Sequence, residues 1–280
     1  MARIYGGYTE DTRVNANDYF IKDHSTNGTK TIKGSNMAIE MAGLVSPLHH
    51  RNVYRGKNLG TEITDAQKAA ISAGTFDDLF IGDYWTLNGT RYDIADMDYF
   101  RNIYDTAEGV TAFTKHHLLM IPHGNMYNAK MNETNTTEGG YVGSKMYTEN
   151  LDVAKTTIGT DFGNMLLTHR DYLVNAVTDG VASGGAWFDS TVELMNEIMV
   201  YGSYIKTNHG DGSSVPALTT AAKQQLALFN LIPVTDQNRI TFWLRDVVSA
   251  STFADVTSNG PANNSSASNS AGVRPYFLIG

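Results

Sequence analysis

The chain has 280 residues, of which 41% are hydrophobic and 18% are charged. The charged fraction lies below the roughly 25% that is typical of soluble domains, and it excludes a disordered acidic chain, which needs high charge and few aromatic residues. There are 21 Lys and Arg residues against 29 Asp and Glu residues. The resulting net charge of −8 lacks the basic excess of a protein that coats duplex nucleic acid.

Cysteine is absent from the sequence. Its absence excludes disulfides, zinc ribbons, iron–sulfur clusters and a thiol nucleophile. No apolar run approaches the roughly 18 residues of a membrane span, and the residues that follow Met1 lack a signal-peptide core. The sequence therefore predicts a soluble protein that does not insert into membranes and does not use the general secretory route.

Residues 1–45 are predicted to form a small separate module. Two short runs of alternating polar and apolar residues, 18–23 and 29–33, flank Asn27-Gly28, and Asn-Gly between such runs is a β-hairpin signal. A short helix is predicted over 36–42. A unit of this size buries little surface by itself, so we expect it to pack on another chain or on the rest of the protein.

Residues 46–75 are predicted to be a linker and a helix. The linker covers 46–60, which contains a proline, two adjacent histidines and two glycines. The segment 64–67 has the sequence of a helix capping box, and Gly74 is a suitable helix stop.

Residues 76–280 are predicted to form one α+β domain, because strands and helices are mixed without β-α-β alternation. In chain order we predict a hairpin at Asn88-Gly89, a buried strand over 117–122, a surface loop over 125–143, a helix over 151–162, a second helix from Thr168 to Gly180, and strands over 224–231 and 241–248. The segment 187–202 fits either a capped helix or a strand followed by one helical turn, and we favour the second.

The end of the chain has an unusual composition. Of the 24 residues 249–272, 20 are Ser, Ala, Asn, Thr or Gly, and the only charged residue is Asp255. Such a stretch is typical of a flexible tail, but the apolar runs 242–244 and 273–279 bracket it. We therefore predict a long loop over 249–272, held between two core strands. Loops of this length inside a compact domain are usually functional.

No combination of residues in the sequence predicts catalysis. Adjacent histidines such as His116-His117 point to opposite faces of a strand, the H-E-x-x-H motif is absent, and Asp93, Asp96 and Asp98 lack the spacing of a calcium loop. The G-x-S-x-G elbow of serine hydrolases is absent as well. We therefore expect no enzymatic activity, no cofactor and no bound metal.

Four segments, taken in order, resemble a known family. ELMNEIMVYG (193–202), QLALF (225–229), FWLRD (242–246) and VRPYF (273–277) are similar to C-type-lectin-like domains of gut-associated bacteria and their tailed phages. In that family, W-L-R and a terminal V-R-P bracket a variable loop, which is often the target of a diversity-generating retroelement. Four earlier segments resemble the same phage group, so the resemblance covers about residues 54–280; they are YRGKNLG (54–60), FDDLFIGDYW (76–85), NETNTTEGGYVGSKMY (132–147) and LTHRDYLVNAV (167–177). Residues 15–45 resemble hairpin–helix modules of phage tail and fibre proteins.

The resemblance implies a virion surface protein that attaches to a host cell-surface glycan or protein. Such a protein is made in the host cytoplasm and released by lysis, does not bind nucleic acid, and contacts other virion proteins. The alternative is a structural decoration or assembly protein of the same particle, and an enzyme acting on cell-wall glycan comes third. The E-P-N, Q-P-D and W-N-D motifs of animal C-type lectins are absent, so calcium-dependent mannose binding is not expected. The cysteines of formylglycine-generating enzymes are also missing.

The candidate site follows from this interpretation. The structural frame is expected to consist of Trp243, Leu244, Arg245, Arg274 and Pro275, with the two arginines bound to loop carbonyls or to Asp246. Phe253, Ala254 and Val256 are expected to anchor the loop. The predicted receptor-binding residues are the polar ones left exposed, namely Thr252, Asp255, Thr257, Ser258, Asn259, Asn264, Ser265 and Asn269. The alternative is that this stretch is only a solvated loop.

The N-terminal module is interpreted as the virion-attachment or oligomerisation part of the chain. Its apolar residues are expected to pack against another chain or against the C-terminal domain; they are Tyr19, Ile21, Ile32, Met37 and Met41. A homotrimer is expected, because fibre-type virion proteins commonly trimerise.

Overall fold

The structure is a computed structural model that describes residues 19–22, 30–33, 47–102, 113–207, 224–233 and 239–280. The first two ranges are strands β1 (Tyr19–Lys22) and β2 (Lys30–Lys33), whose backbones pair antiparallel as the Asn-Gly signal predicted. The helix predicted over 36–42 lies outside the described residues. So does the side-chain packing predicted for Tyr19, Ile21, Ile32, Met37 and Met41.

The remaining elements alternate short strands with a few helices. The strands are β3 (Tyr84–Leu87), β4 (Thr90–Met97), β5 (Leu118–Pro122), β6 (Tyr127–Lys130), β7 (Leu166–Leu167), β8 (His169–Thr178), β9 (Val181–Ser190), β10 (Val192–Leu194), β11 (Phe242–Ser249), β12 (Thr252–Val256), β13 (Ala262–Ser266), β14 (Ser270–Val273) and β15 (Pro275–Ile279). The α-helices are α1 (Asp65–Ala73), α2 (Asp152–Phe162), α3 (Glu197–Tyr201) and α4 (Ala227–Leu231). The shorter turns are 3₁₀ helices at Pro47–Asn52 and Gly163–Met165 and a π-helical turn at Met146–Asn150. None of the described helices has the length and apolar character that crossing a bilayer requires. The described part of the chain is an α+β protein.

A six-stranded sheet contains the central strands of the core. Its order is β10-β15-β5-β4-β3, with β7 paired to β15 as a side branch. The hairpin between β3 and β4 turns at Asn88 and Gly89, whose φ angles of 46° and 86° match the left-handed turn that the Asn-Gly pair predicted. All five residues of β5 and of β15 are buried. These two strands are therefore covered on both faces.

A five-stranded sheet is built largely from the segment that was predicted to be a loop. Its order is β13-β12-β11-β14-β6, so the segment 249–272 contains β12, β13 and β14. The loop prediction is wrong because Ser, Asn and Ala have low strand propensity, and tertiary pairing overrides that preference. Trp243 on β11 is fully buried, and β14, which ends at Val273, lies beside β11. Residues 275–279, however, belong to the six-stranded sheet.

Three other segments differ from their predictions. The segment 168–180 was predicted to be a helix, but it contains β8, which forms a long hairpin with β9 through Asp179 and Gly180. The φ angles of 50° and 76° at these two residues make an Asp-Gly turn, which favours a hairpin over a helix end. The surface loop predicted over 125–143 contains β6, and the strand predicted over 224–231 contains α4. Periodicity alone cannot separate short strands from short helices.

The segment 46–60 is not a free linker. Tyr54 forms a parallel bridge with Ile81, and the Arg55 guanidinium pairs with the buried carboxylate of Asp83. Arg51 likewise pairs with the buried Asp96 on β4. A buried carboxylate needs a charged partner, so these arginines attach the segment to the sheet.

The secondary-structure predictions for 64–74, 151–162 and 187–202 are confirmed. Thr64 caps α1 through a complete capping box, and Gly74 ends the helix in the left-handed conformation. Helix α2 lies within 151–162, and a strand followed by a helical turn, β10 and α3, lies within 187–202.

The first testable prediction concerns Trp243. Its indole is fully buried, and Nε1 donates a 2.9 Å hydrogen bond to the carbonyl oxygen of Ala129. Ala129 lies on β6, the strand that pairs with β14. Trp243→Ala should lower the free energy of unfolding by about 3–5 kcal/mol because it leaves a cavity. The exposed Asn264→Ala should change it by less than about 0.5 kcal/mol. Urea denaturation of both variants gives the comparison. Equal losses would contradict the separation of a buried frame from an exposed strand.

Candidate functional site

The predicted receptor-binding residues lie on β12, β13 and the two connections that flank β13. We call the exposed polar side chains of β13 and these connections the polar strip. Its exposed members are Ser258, Asn259, Asn264 and Asn269. Thr252, Thr257 and Ser265 are half-buried. The strip therefore forms the outer edge of the five-stranded sheet, because β13 is its terminal strand.

One end of the strip is the turn between β12 and β13. The backbone N–H of Thr257 donates to the carbonyl oxygen of Pro261 at 3.1 Å, and that of Gly260 donates to the carbonyl oxygen of Thr257 at 2.9 Å. The Tyr201 hydroxyl, at the end of α3, donates to the Gly260 carbonyl oxygen at 2.8 Å. These bonds hold the turn while Ser258 and Asn259 stay exposed.

The other end of the strip is the connection from β13 to β14. Ala267 is fully buried, and its backbone binds both the Ser251 carbonyl oxygen and the Asn132 N–H, at 2.9 and 2.8 Å. Ser268 donates to Asn135 Oδ1 from its backbone N–H and from its hydroxyl, at 3.1 and 2.6 Å. The exposed Asn135 thus joins this end of the strip, beside Asn269, although the sequence did not indicate it.

The two ends of the strip are separated by the length of β13. Five residues of antiparallel strand span about 17 Å, with Asn264 near the middle. The predicted residues are therefore not gathered into one pocket. They form an elongated, nearly uncharged surface.

Asp255 does not belong to the exposed strip. It was predicted to be exposed, but it is only 1% exposed, because β12 lies between β11 and β13. Its Cα neighbours are Trp243 on one side and Asn263 on the other, and Asn263 Nδ2 donates to both carboxylate oxygens at 3.1 and 3.3 Å. Burial raises the pKa of Asp255, although these hydrogen bonds oppose the rise. Asp255 is a structural group, and Asn263 is the partner that sequence reasoning missed.

The five frame residues are all buried, as was predicted for Trp243 and Leu244, and the anchors Phe253, Ala254 and Val256 are buried too. The partners of the two arginines differ from the prediction. Consecutive strand residues point to opposite faces, so Arg245 faces away from Asp246 and binds the carboxylate of Asp171 instead. Arg274 Nε donates to the carbonyl oxygen of Pro122 at 2.8 Å, which belongs to β5 and not to the segment 249–272.

Four buried carboxylates form a network that includes Arg245, and we call them the buried acidic cluster. They are Asp171, Glu193, Glu197 and Asp246. Arg245 pairs with one of them, Asp171, and interacts electrostatically with two others, and the fourth, Glu197, interacts with Asp246. One guanidinium cannot neutralise four carboxylates. Burial raises the pKa of Glu193 to about 7, and burial together with the Glu197 charge raises the pKa of Asp246 to about 7.

Hydrogen bonds tie the cluster to its surroundings. Glu193 accepts from the Ser190 and Tyr141 hydroxyls at 2.5 and 2.7 Å, and Asp246 accepts from the Glu197 backbone N–H at 2.6 Å. Burial lowers the pKa of the nearby His169 to about 4. These groups are enclosed by the core, so their raised and lowered pKa values reflect burial in a structural network.

The histidines that invited a metal interpretation have structural partners. His116 Nδ1 bonds the Asp98 carboxylate at 2.7 Å, and His117 Nε2 accepts from the backbone N–H of Phe100 at 3.1 Å. Across the described ranges, no three His, Asp or Glu side chains are grouped in a way that could hold a metal ion.

Comparison with protein-family models, curated proteins and solved structures finds no match to this chain.

The second prediction concerns Glu193. A carboxyl whose folded pKa of about 7 exceeds its unfolded value of 4.5 stabilises the fold fully only below pH 4.5, and this stability is lost as pH rises through 7. Glu193→Gln cannot ionise. The free energy of unfolding of this variant relative to the native protein should therefore increase with pH, by about 3 kcal/mol in total.

The measurement is denaturant unfolding of both proteins over a pH series, with the exposed Glu62→Gln as the baseline. A Glu193→Gln difference that stays constant from acidic to alkaline pH would show that the Glu193 carboxylate is not disfavoured by its surroundings.

Proposed function

We propose that this chain is a non-enzymatic virion surface protein of a tailed phage, which attaches to a host cell-surface glycan or protein through a C-type-lectin-like domain. The single observation that carries the attachment role is the polar strip. Ser258, Asn259, Asn264 and Asn269 project from the outer edge of a sheet whose inner strands are buried. Side chains in such positions contact a partner, and vary, without disturbing the core. The phage origin rests on the resemblance of segments such as FWLRD (242–246) and VRPYF (273–277) to C-type-lectin-like domains of tailed phages.

The chemistry of the strip suits weak, polar recognition. Amide and hydroxyl side chains offer donors and acceptors without the desolvation penalty of a charge. The strip lacks the exposed Tyr, Trp and Arg anchors that dominate tight interfaces, so one copy should bind with a Kd of about 1 µM to 1 mM. Many copies on one particle then produce firm adhesion through effective concentration. A homotrimer formed through residues 1–45 is part of the same proposal.

The second candidate function is structural decoration or assembly of the particle. The edge strand β13 favours it, since its sequence ANNSS carries no charge and no proline to block pairing with another strand. A partner strand from another virion protein would add to this edge by backbone hydrogen bonds.

The third prediction tests attachment with a triple variant, Asn259→Ala, Asn264→Ala and Asn269→Ala, which removes amides from both ends and the middle of the strip. Binding of the purified protein to host cells should weaken by about tenfold or more, as expected for several lost hydrogen bonds. The matched control changes three exposed asparagines elsewhere, Asn128, Asn164 and Asn230, to alanine and should bind normally. High salt should alter binding little, because screening acts on charged pairs.

Two outcomes would contradict attachment through the strip. Cell binding that survives the triple change, or that collapses in high salt, places the receptor site elsewhere. If the native protein binds no cells but binds particles that lack it, the assembly role is the correct one.

A further inference from the structure

A separate cleft of about 470 Å³ lies against the six-stranded sheet, whereas the polar strip belongs to the five-stranded sheet. Its polar side carries Arg91, at the start of β4, and His123, which directly follows β5. Its apolar side carries Tyr54 together with Leu228 and Leu231 of α4. The volume falls in the range of small-molecule sites.

One buried carboxylate fixes both polar groups of the cleft. Asp93 is 2% exposed, and its two oxygens accept from Arg91 Nε and from His123 Nδ1, each at 2.7 Å. The Arg91 guanidinium also lies over the Tyr84 ring, 3.6 Å from the ring centre. Both side chains are therefore held in place before any ligand arrives.

The outer nitrogens of these groups remain available to the cleft. In the described part of the chain, the Arg91 Nη atoms and His123 Nε2 make no hydrogen bond, and the two side chains are 32% and 31% exposed. The two Nη donors of a guanidinium form a planar fork that matches a carboxylate.

A further charged group lies behind the cleft. The buried Arg274 guanidinium interacts electrostatically with Asp93, the carboxylate that also binds Arg91 and His123.

The apolar side of the cleft presents a fixed aromatic ring. Tyr54 is 43% exposed, and its ring lies directly over Gly82, where a Cβ atom would approach ring atom Cε2 to 2.1 Å. Only glycine allows the ring to lie there. An exposed aromatic face opposite leucine side chains suits the C–H face of a sugar ring.

We propose that this cleft binds a carboxylate-bearing saccharide, such as a uronic acid unit. The carboxylate accepts hydrogen bonds from the Arg91 fork, a sugar hydroxyl donates to His123 Nε2, and the sugar ring packs on Tyr54. Binding at this site does not depend on the attachment role of the polar strip, so either proposal can fail while the other holds.

The fourth prediction tests the cleft with D-glucuronate as the probe, D-glucose as its neutral counterpart and acetate as the carboxylate without a sugar. Calorimetry or ligand-detected NMR on the full chain should show millimolar binding of glucuronate and much weaker binding of the other two. Arg91→Ala should weaken glucuronate binding about tenfold to a hundredfold, as expected for lost charge-assisted hydrogen bonds. The control Arg170→Ala removes an exposed arginine that also pairs with an aspartate, Asp189, and should bind normally.

Two further variants keep the test decisive if Arg91→Ala does not fold. Arg91→Lys keeps the charge but loses the planar fork, and Tyr54→Ala removes the exposed ring, so both should weaken glucuronate binding. Equal binding of glucuronate and glucose, or normal binding by the Arg91 and Tyr54 variants, would overturn the site. Acetate that binds as tightly as glucuronate would show an anion site without sugar recognition and would overturn the saccharide assignment.

Discussion

The rest of the structure depends on one buried ion pair. Arg245 lies on β11 of the five-stranded sheet, Asp171 lies on the β8–β9 hairpin, and Tyr276 lies on β15 of the six-stranded sheet. Asp171 Oδ2 accepts from both Arg245 Nη1 and the Tyr276 hydroxyl, so a single oxygen joins these three sheets. Removing one partner of a buried pair leaves an uncompensated charge, which is far more destabilising than the loss of an exposed pair. The position of β11, and of the strands that follow it, is therefore tied to this contact.

The same ion pair influences the surface through the buried acidic cluster. Glu197 accepts backbone hydrogen bonds from Ile205, Lys206 and Thr207 at 3.2, 2.8 and 2.9 Å, which holds the segment after α3 in place. Lys206 in turn interacts electrostatically with Asp255 beneath the polar strip. A continuous set of charges and hydrogen bonds thus runs from the core to the base of the strip. The strand β13 itself is held by antiparallel pairing with β12 along its whole length.

Local signals predicted much of the fold, and long-range pairing accounts for what they missed. The capping box at Thr64 and the turn at Asn88-Gly89 act within a few residues, so the sequence alone shows them. Asn259-Gly260 carries the same kind of turn signal, but its flanking residues are too small and polar to look like strands. Asp179-Gly180 carries it as well, but the apolar residues before it also fit a helix that ends at Gly180. The burial of Asp255 depends on its register with Trp243 and Asn263, and the cleft brings together residues from 54 to 231. Neither arrangement has a signature in a short window of sequence.

The two proposed sites differ in how they tolerate change, and this difference bears on function. Asn259, Asn264 and Asn269 are exposed, so replacing them alters the chemistry of the strip at little cost in stability. Arg91 and His123 share the buried Asp93, so a change at position 93 releases both side chains. Tyr54 requires glycine at position 82, so a larger residue there displaces its ring. The strip is therefore suited to recognition that shifts between receptors, whereas the cleft is suited to one fixed ligand. An attachment protein with both would keep a constant preference for acidic saccharide while its strip adapted to different hosts.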